Sequence, residues 1–220
     1  GEKFGTIGFK AIGKDIEITQ FRSEKYNAGC RKPEVEFVTS LNEDLSRRDF
    51  TINSICMRIQ KDRLRIIDPF CGMEDLENKI IRCVGSPKQR FHEDPLRMLR
   101  AIRFASRFGF AIHPDTYKKI QSGAISILNI SKERWVMELD KVLMCDKPGL
   151  GLQQLWDTKL FNYMIPELSL QFNYGQNSEY HKFKLHEHTI RVVEACPKDL
   201  NLRWSALLHD VAKPILRTNK

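Results

Sequence analysis

The densest run of chemically capable residues is Arg90-Phe91-His92-Glu93-Asp94-Pro95-Leu96-Arg97-Met98-Leu99-Arg100-Ala101-Ile102-Arg103-Phe104-Ala105. Asp94 before Pro95 is a helix-start signal: a carboxylate cap, then a residue whose φ is already helical. At about 100° per residue, Arg97, Arg100, Arg103 and Arg107 share one face, with Met98, Ile102 and Ala105 opposite. The pattern predicts a helix that buries its apolar side and presents its guanidiniums on the other. One reading is a solvated basic face with an ordinary cap. The other is a nucleotide site. Cytosine and adenine each present an amino donor beside a ring-nitrogen acceptor, and a carboxylate next to a guanidinium complements that order. Guanine and uracil present a carbonyl beside an N–H and are refused. On this reading Asp94 and Arg97 select the base, while Arg100 and Arg103 hold phosphates or an RNA strand.

A second group is Arg47-Arg48-Asp49-Phe50-Thr51-Ile52-Asn53. Two adjacent arginines suit a triphosphate. Asp49 and Asn53, four apart on an expected helix over 41–54, can accept from and donate to ribose hydroxyls. Surface charge on a helix is the plainer alternative. A third group, Asp68-Pro69-Phe70-Cys71-Gly72-Met73-Glu74-Asp75-Leu76, reads as a turn entering a helix, with Asp75 favoured near its N-terminus.

The elements that must hold these groups divide the chain. Residues 4–9 and 16–21 read as strands about a turn at Gly13-Lys14-Asp15, the second with Glu17, Thr19 and Phe21 on one face and Ile16, Ile18 and Gln20 on the other. Residues 24–34 look like a polar loop, and 64–67 like a short strand. Helices are expected over 95–108, stopped by Gly109, and over 114–121, 132–144 and 149–158. Residues 173–179 form a polar break before a histidine-rich segment. The fold class expected is α+β, with a β-rich piece over 1–80, an all-α piece over 81–172 and a further helical unit starting over 173–220.

The chain has 220 residues, 41% apolar and 29% charged, which is globular composition. No apolar run approaches the roughly 20 residues a membrane span needs, and the first residues carry no secretory pattern. Lys and Arg number 36 against 28 Asp and Glu, a net +8 that leans towards a polyanionic partner. The six cysteines (Cys30, Cys56, Cys71, Cys83, Cys145, Cys196) form no CxxC pair, so a reduced, cytoplasmic protein is expected.

Taken together and in order, RRDFTIN at 47–53, DPFCGMEDL at 68–76, FHEDPLRMLRAIRFA at 91–105 and ISKERWVMELDKVL at 130–143 resemble the class II tRNA nucleotidyltransferases, the family of CCA-adding enzymes and bacterial poly(A) polymerases. The resemblance implies a polymerase-beta-like nucleotidyltransferase head, then a helical neck and body that hold tRNA. It implies addition of C and A to tRNA 3′ ends from CTP and ATP, with Mg²⁺ as cofactor. Carried over, Arg47, Arg48 and Asp49 match the triphosphate and ribose motif, Asp94 and Arg97 the amino-acid template, and Arg100 and Arg103 nucleotide-binding arginines. The 68–76 segment matches a hinge between CTP and ATP states, and Glu138 and Lys141 fall in a motif supporting the neck helices. Glu17 is the candidate for a third active-site carboxylate, with a solvent-facing strand residue as the alternative.

The family's glycine-rich segment and DxD metal pair do not occur here. Two-metal nucleotidyl transfer needs such carboxylates, so the expectation is a chain inactive by itself, either a fragment or the partner of a separate polypeptide that supplies the DxD segment. At the other end, His188, His209 and Asp210 resemble the start of an HD-type metal phosphohydrolase domain, which implies a divalent-metal site; His181 and His186 fit it less well. The pattern normally continues to a further Asp, and the chain stops at Asn219-Lys220. Alternatives that stay open are a poly(A) polymerase or A-adding enzyme, a non-catalytic RNA-binding subunit, and an HD-type phosphohydrolase with an accessory basic domain.

Overall fold

A computed structural model describes residues 5–25, 34–61, 63–175 and 183–216. Three antiparallel hairpins come first: β1 (Thr6–Ala11) with β2 (Lys14–Thr19), β3 (Arg22–Lys25) with β4 (Glu34–Phe37), and β5 (Cys56–Gln60) with β6 (Arg63–Ile67). Between the second and third lie α1 (Leu41–Ser46) and a 3₁₀ turn, Thr51–Asn53. Then come α2 (Gly72–Glu77), β7 (Ile80–Ile81), α3 (Pro87–Glu93), α4 (Leu96–Phe108), β8 (Ala111–Ile112) and α5 (Pro114–Gly123). The chain continues through α6 (Lys132–Leu143), α7 (Pro148–Asp157), α8 (Phe161–Met164), α9 (Pro166–Ser169), α10 (Leu185–Ala195), α11 (Leu200–Leu208) and α12 (Lys213–Leu216). The class is α+β, a β-rich start on a helical remainder. No described helix is long and apolar enough to cross a membrane.

Sequence periodicity located α4, α5, α6 and α7 to within two residues, but not α3, α8 or α9, and it located the short strands poorly. α4 runs to Phe108, and Gly109 closes it in the left-handed region at φ 67°, donating its N–H to Ala105. The helix expected over 41–54 is shorter. α1 stops at Ser46 because residues 49–51 pair by backbone with 82–84: Thr51 N–H donates to Arg82 at 3.0 Å and Val84 N–H to Asp49 at 3.0 Å. Phe50 is thereby extended and fully buried, edge-on to Phe104 at 5.8 Å. The strand expected over 16–21 ends at Thr19, so Phe21 lies outside it. The loop expected over 24–34 begins and ends in β3 and β4, and 26–33 lies outside the described residues. The region from 81 onward is not wholly helical: β7 pairs in parallel with β8, since Ile81 and Ile112 both seek the core.

The core is built around α4. Met98, Leu99, Ala101, Ile102 and Ala105 are buried and pack with Leu139, Val142 and Leu143 of α6 and Leu152, Leu155 and Trp156 of α7. Close approach is needed at Gly151, where a Cβ would come within 2.6 Å of Val142. α10 and α11 share this core through Val193, Ala206 and Leu207. Arg203 donates to the carbonyls of Leu143 and Cys145, and Trp204 Nε1 donates to Asp140 at 2.7 Å. The described cysteines are free, and burial pushes the Cys83 thiol up to about 12.

The hairpins are amphipathic. On β1 and β2, Ile7 faces Ile18 and Phe9 faces Ile16, while Glu17 and Thr19 lie on the other side. β5 was legible as an alternation of Met57 and Ile59 with Arg58, but only its partner β6 was expected.

Candidate functional site

Asp44 organises the first cluster. Its side chain, 4% exposed, accepts from Arg47 Nη2 at 2.6 Å and Arg48 Nη2 at 3.1 Å. Burial alone would raise its carboxyl, but the Arg47 hydrogen bond and charge, with Arg48 behind them, outweigh burial and hold it below the usual range. Arg47 Nε also donates to the Arg22 carbonyl at 2.9 Å, and Arg48 Nη1 to Asn53 O at 2.8 Å. Asp49 accepts from the Phe50 N–H and from Asn53 Nδ2, both at 2.9 Å. The Asp49–Asn53 pair therefore exists, but across a turn and a 3₁₀ segment rather than on one helix face, because the backbone is drawn to 82–84.

α4 brings its arginines to this cluster from the other side. Arg100 reaches Asp49 at 2.6 Å with 34% of its side chain exposed. Arg97 donates to Glu93 at 2.6 Å, to Arg90 O at 3.3 Å and to Arg47 O at 3.0 Å. Arg90 donates to Ser46 O at 2.9 Å and pairs with the same Glu93 at 2.7 Å. Arg103 pairs with Glu138 at 2.6 Å, and Lys141 shares that carboxylate at 3.1 Å.

The expected outward face of guanidiniums needs correction. Arg97 and Arg103 are each 8% exposed and sit in ion pairs between packed elements. Among α4's arginines, Arg107 is exposed and Arg100 is in between. Asp94 differs as well. Its Oδ1 accepts the Leu96 N–H at 3.1 Å, which supports the helix start, while its Oδ2 accepts from Arg134 at 2.9 Å. The guanidinium beside Asp94 is thus Arg134 of α6, and Arg97 is bound to Glu93. Glu93–Arg97 and Asp44–Arg48 were discoverable from their i,i+4 spacing; Arg134, 40 positions from Asp94, left no such mark.

The 68–76 segment locks the same region from below. Asp68 accepts the N–H groups of Gly72 at 2.7 Å and Met73 at 2.8 Å, the start of α2. Asp75 is 3% exposed and accepts from Thr51 Oγ1 at 2.7 Å and Arg82 Nε at 3.0 Å. It lies in the first turn of α2, as expected, and there it also holds the buried Thr51 hydroxyl and the half-exposed Arg82 guanidinium. A Cβ on Gly72 would fall 2.2 Å from the Thr51 carbonyl. Glu17 stands exposed on β2 opposite Gly8, away from this junction's hydrogen bonds.

The C-terminal histidines separate by role. His186 is 4% exposed, its ring tilted against Phe172 with centroids 4.8 Å apart, and it accepts the Asn173 N–H at Nδ1. Burial pushes its pKa down, and it is a core residue. His181 lies outside the described residues. His188 of α10 and His209 at the end of α11 bring their Nε2 atoms to 3.2 Å. Asp210 Oδ2 lies 3.1 Å from His209 Nε2 and 3.7 Å from His188 Nε2. His209 Nδ1 lies 2.7 Å from Ala206 O, which can only accept, so Nδ1–H donates there and the lone pair of the neutral ring is on Nε2. Lys213 also reaches Asp210, at 2.6 Å. These three are the described group of three or more side chains whose ligand atoms gather closely enough for a metal ion.

Residues 1–82 match the family model described as the poly A polymerase head domain, and residues 109–171 match one described as the probable RNA and SrmB-binding site of polymerase A. The CCA-adding enzyme of Pediococcus pentosaceus is 46% identical over 164 residues, covering 74% of this chain and 41% of that protein. The CCA-adding enzyme of Ligilactobacillus salivarius is 45% identical, with 74% and 40% covered. The crystal structure of the Bacillus stearothermophilus CCA-adding enzyme in complex with CTP superposes with a TM-score of 0.74 at 36% identity, over 98% of this chain and 50% of that one. A tRNA nucleotidyltransferase complexed with a primer tRNA and an incoming ATP analog gives a TM-score of 0.63 at 25% identity, over 87% and 57%. The chain spans about two fifths of the length of the curated relatives it matches.

Proposed function

The chain belongs to the class II tRNA nucleotidyltransferase and poly(A) polymerase family, and from that membership we propose that the protein adds C and A to tRNA 3′ ends without a nucleic-acid template. The observation that carries this is the junction between 47–53 and the start of α4, where Arg97 donates to Arg47 O at 3.0 Å and Arg100 pairs with Asp49 at 2.6 Å. Residues about 50 apart in sequence thus form one site.

In this reading Arg47, Arg48 and Asp49 meet the triphosphate and ribose, with Asn53 orienting Asp49. Asp94 and Arg97 read the base. Arg97 has five N–H donors, of which three are engaged, so donors remain for a base. Each Asp94 oxygen accepts one protein donor and keeps a second lone pair. Arg100 is the partly open guanidinium for phosphate, and Arg103 positions α4 against α6 through Glu138.

Nucleotidyl transfer of this kind uses divalent metal ions, Mg²⁺ in this reading. Among the described residues Glu17 belongs to no group of three or more ligating side chains. The described residues therefore do not by themselves fit a two-ion site. The tRNA substrate and the free cysteines are consistent with a cytoplasmic setting.

The complete protein, given a tRNA lacking its CCA end and each labelled triphosphate in turn, is expected to add C and then A. Addition of A alone would mean a poly(A) polymerase or A-adding enzyme, and no addition a non-catalytic RNA-binding role.

A second reading rests on His188, His209 and Asp210: a divalent-metal site of HD type. The residues fit, with two imidazoles and a carboxylate converging and the His209 tautomer set by Ala206. A bound ion would supply a water of lowered pKa. The Lys213 ammonium on Asp210 must move aside for it. Metal content of the complete protein and its His209→Ala variant tests this; equal content would reject it.

A further inference from the structure

The far end of α4 opens into a cleft that the nucleotide site does not use. It encloses about 730 Å³ and is lined by Arg107 and Phe108 from the last turn of α4, Lys141 and Met144 from the end of α6, Asp146, and Lys198 from the turn before α11. Its charge is lopsided. Lys198 pairs with Asp146 at 2.7 Å, but both side chains are more than half exposed, so that pair opens readily in water. Lys141 shares Glu138 with Arg103. Arg107 makes no ion pair or side-chain hydrogen bond among the described residues; its guanidinium carbon lies 5.5 Å from the Phe108 ring centre.

Phe108 is the second observation. It is 45% exposed on a helix whose other large apolar side chains are buried or half-buried. Its ring is parallel to Phe104, with centroids 5.9 Å apart and an interplanar angle of 4°, and Phe110 lies 5.5 Å away. The ring is therefore held in one orientation with part of its surface open. A fixed aromatic platform ringed by cations matches an unpaired nucleotide: the base stacks on the ring and the flanking phosphates meet the cations. A duplex offers no free base face to such a platform, and a small anion has no use for the ring.

We propose that this cleft binds a single-stranded stretch of the RNA primer, with one unpaired base on Phe108 and its phosphates on Arg107, Lys141 and Lys198. The proposal rests on the nucleotidyltransferase reading above for the identity of the RNA. Arg107 is ten helical positions beyond Arg97, an axial distance of about 15 Å. That is roughly four stacked nucleotides at about 3.4 Å each. The cleft thus meets the strand a few nucleotides upstream of the growing end.

The test uses the complete protein without triphosphates, and tRNA ending in CC, whose last three nucleotides are unpaired, with 2-aminopurine placed singly at each of those three positions. Stacking on Phe108 is expected to quench one position, and Phe108→Leu to abolish that quenching and weaken binding by about 5- to 150-fold. Arg107→Ala, at an exposed site where only the contact with the Phe108 ring is lost, is expected to weaken binding and lower the salt slope by about 1. Neither change should alter the choice among triphosphates. Wild-type affinity and salt slope in Arg107→Ala, no Phe108-dependent quenching at any position, or equal competition by blunt duplex RNA would each overturn the proposal. Because binding is read without nucleotide addition, failure of the nucleotidyltransferase reading would show separately, as absence of addition with the quenching intact.

Discussion

Asp94→Asn is the substitution that separates base reading from folding. Asparagine keeps one oxygen, enough to accept the Leu96 N–H that Asp94 accepts at 3.1 Å, so the helix start survives. What is lost is the charge opposite Arg134, a pair whose side chains are 45% and 25% exposed. Pairs that open to water contribute about 0–1 kcal/mol, and for a domain of this size that moves Tm by no more than about 4 °C. Base selection should change far more. The asparagine amide can turn a donor towards the amino group of cytosine or adenine, and a lost hydrogen bond to a charged group costs about 1.5–3 kcal/mol, or about 10- to 150-fold in discrimination. Arg97→Ala is the contrasting case. It removes a 2.6 Å bond to Glu93 and two bonds to backbone carbonyls, but Glu93 keeps Arg90 at 2.7 Å. Its cost should be about 2–3 kcal/mol, short of an orphaned buried charge, with Tm lowered by about 4–12 °C. The assay is single-turnover addition by the complete protein with each of the four triphosphates, beside thermal melts of both variants. If both variants stay folded and both keep the wild-type preference for C and A, the Asp94–Arg97 template is wrong.

Other outcomes follow from the same packing. Arg103→Ala leaves Glu138, 4% exposed, with Lys141 alone, and is expected to cost about 3–5 kcal/mol in denaturant unfolding, whereas Glu138→Gln, which keeps an acceptor, should cost less. The Asp44 carboxyl lies below its ordinary value, so its stabilisation is complete above about pH 4 and is lost as pH falls through the folded pKa. His186, lowered by burial, contributes stability that is complete above about pH 6.5 and declines as pH falls through its own folded pKa. Acid titration of stability should therefore show a shallower slope below pH 4 for Asp44→Asn and below pH 6.5 for His186→Phe, and unchanged slopes would contradict these assignments. Gly72→Ala must move the Thr51 backbone, which a new Cβ would approach to 2.2 Å; a loss of roughly 1–3 kcal/mol is expected, measurable as a lower denaturant midpoint.

Local chemistry written in the sequence determined the long helices α4 to α7 and the ends of α4. Pro95 and Gly109 bracket α4 as a start signal and a left-handed stop should, because both act through their own backbone torsions. Pairs one helical turn apart, such as Asp44 with Arg48 and Glu93 with Arg97, follow from the same local geometry. The order of His188, His209 and Asp210 also pointed to their convergence. Tertiary packing decided the rest. Periodicity placed Arg97 and Arg103 opposite the apolar stripe, but what lies on that side is set by elements far away in sequence: the 44–53 turn covers Arg97, and α6 covers Arg103. Backbone pairing of 49–51 with 82–84 ended a helix that local propensity would have continued. Asp94 took Arg134 rather than Arg97 because Glu93 already held Arg97 and α6 brought a second guanidinium alongside. Side-chain spacing fixes which groups share a face of one element, whereas their partners depend on which other element packs there, and that is a property of the assembled core.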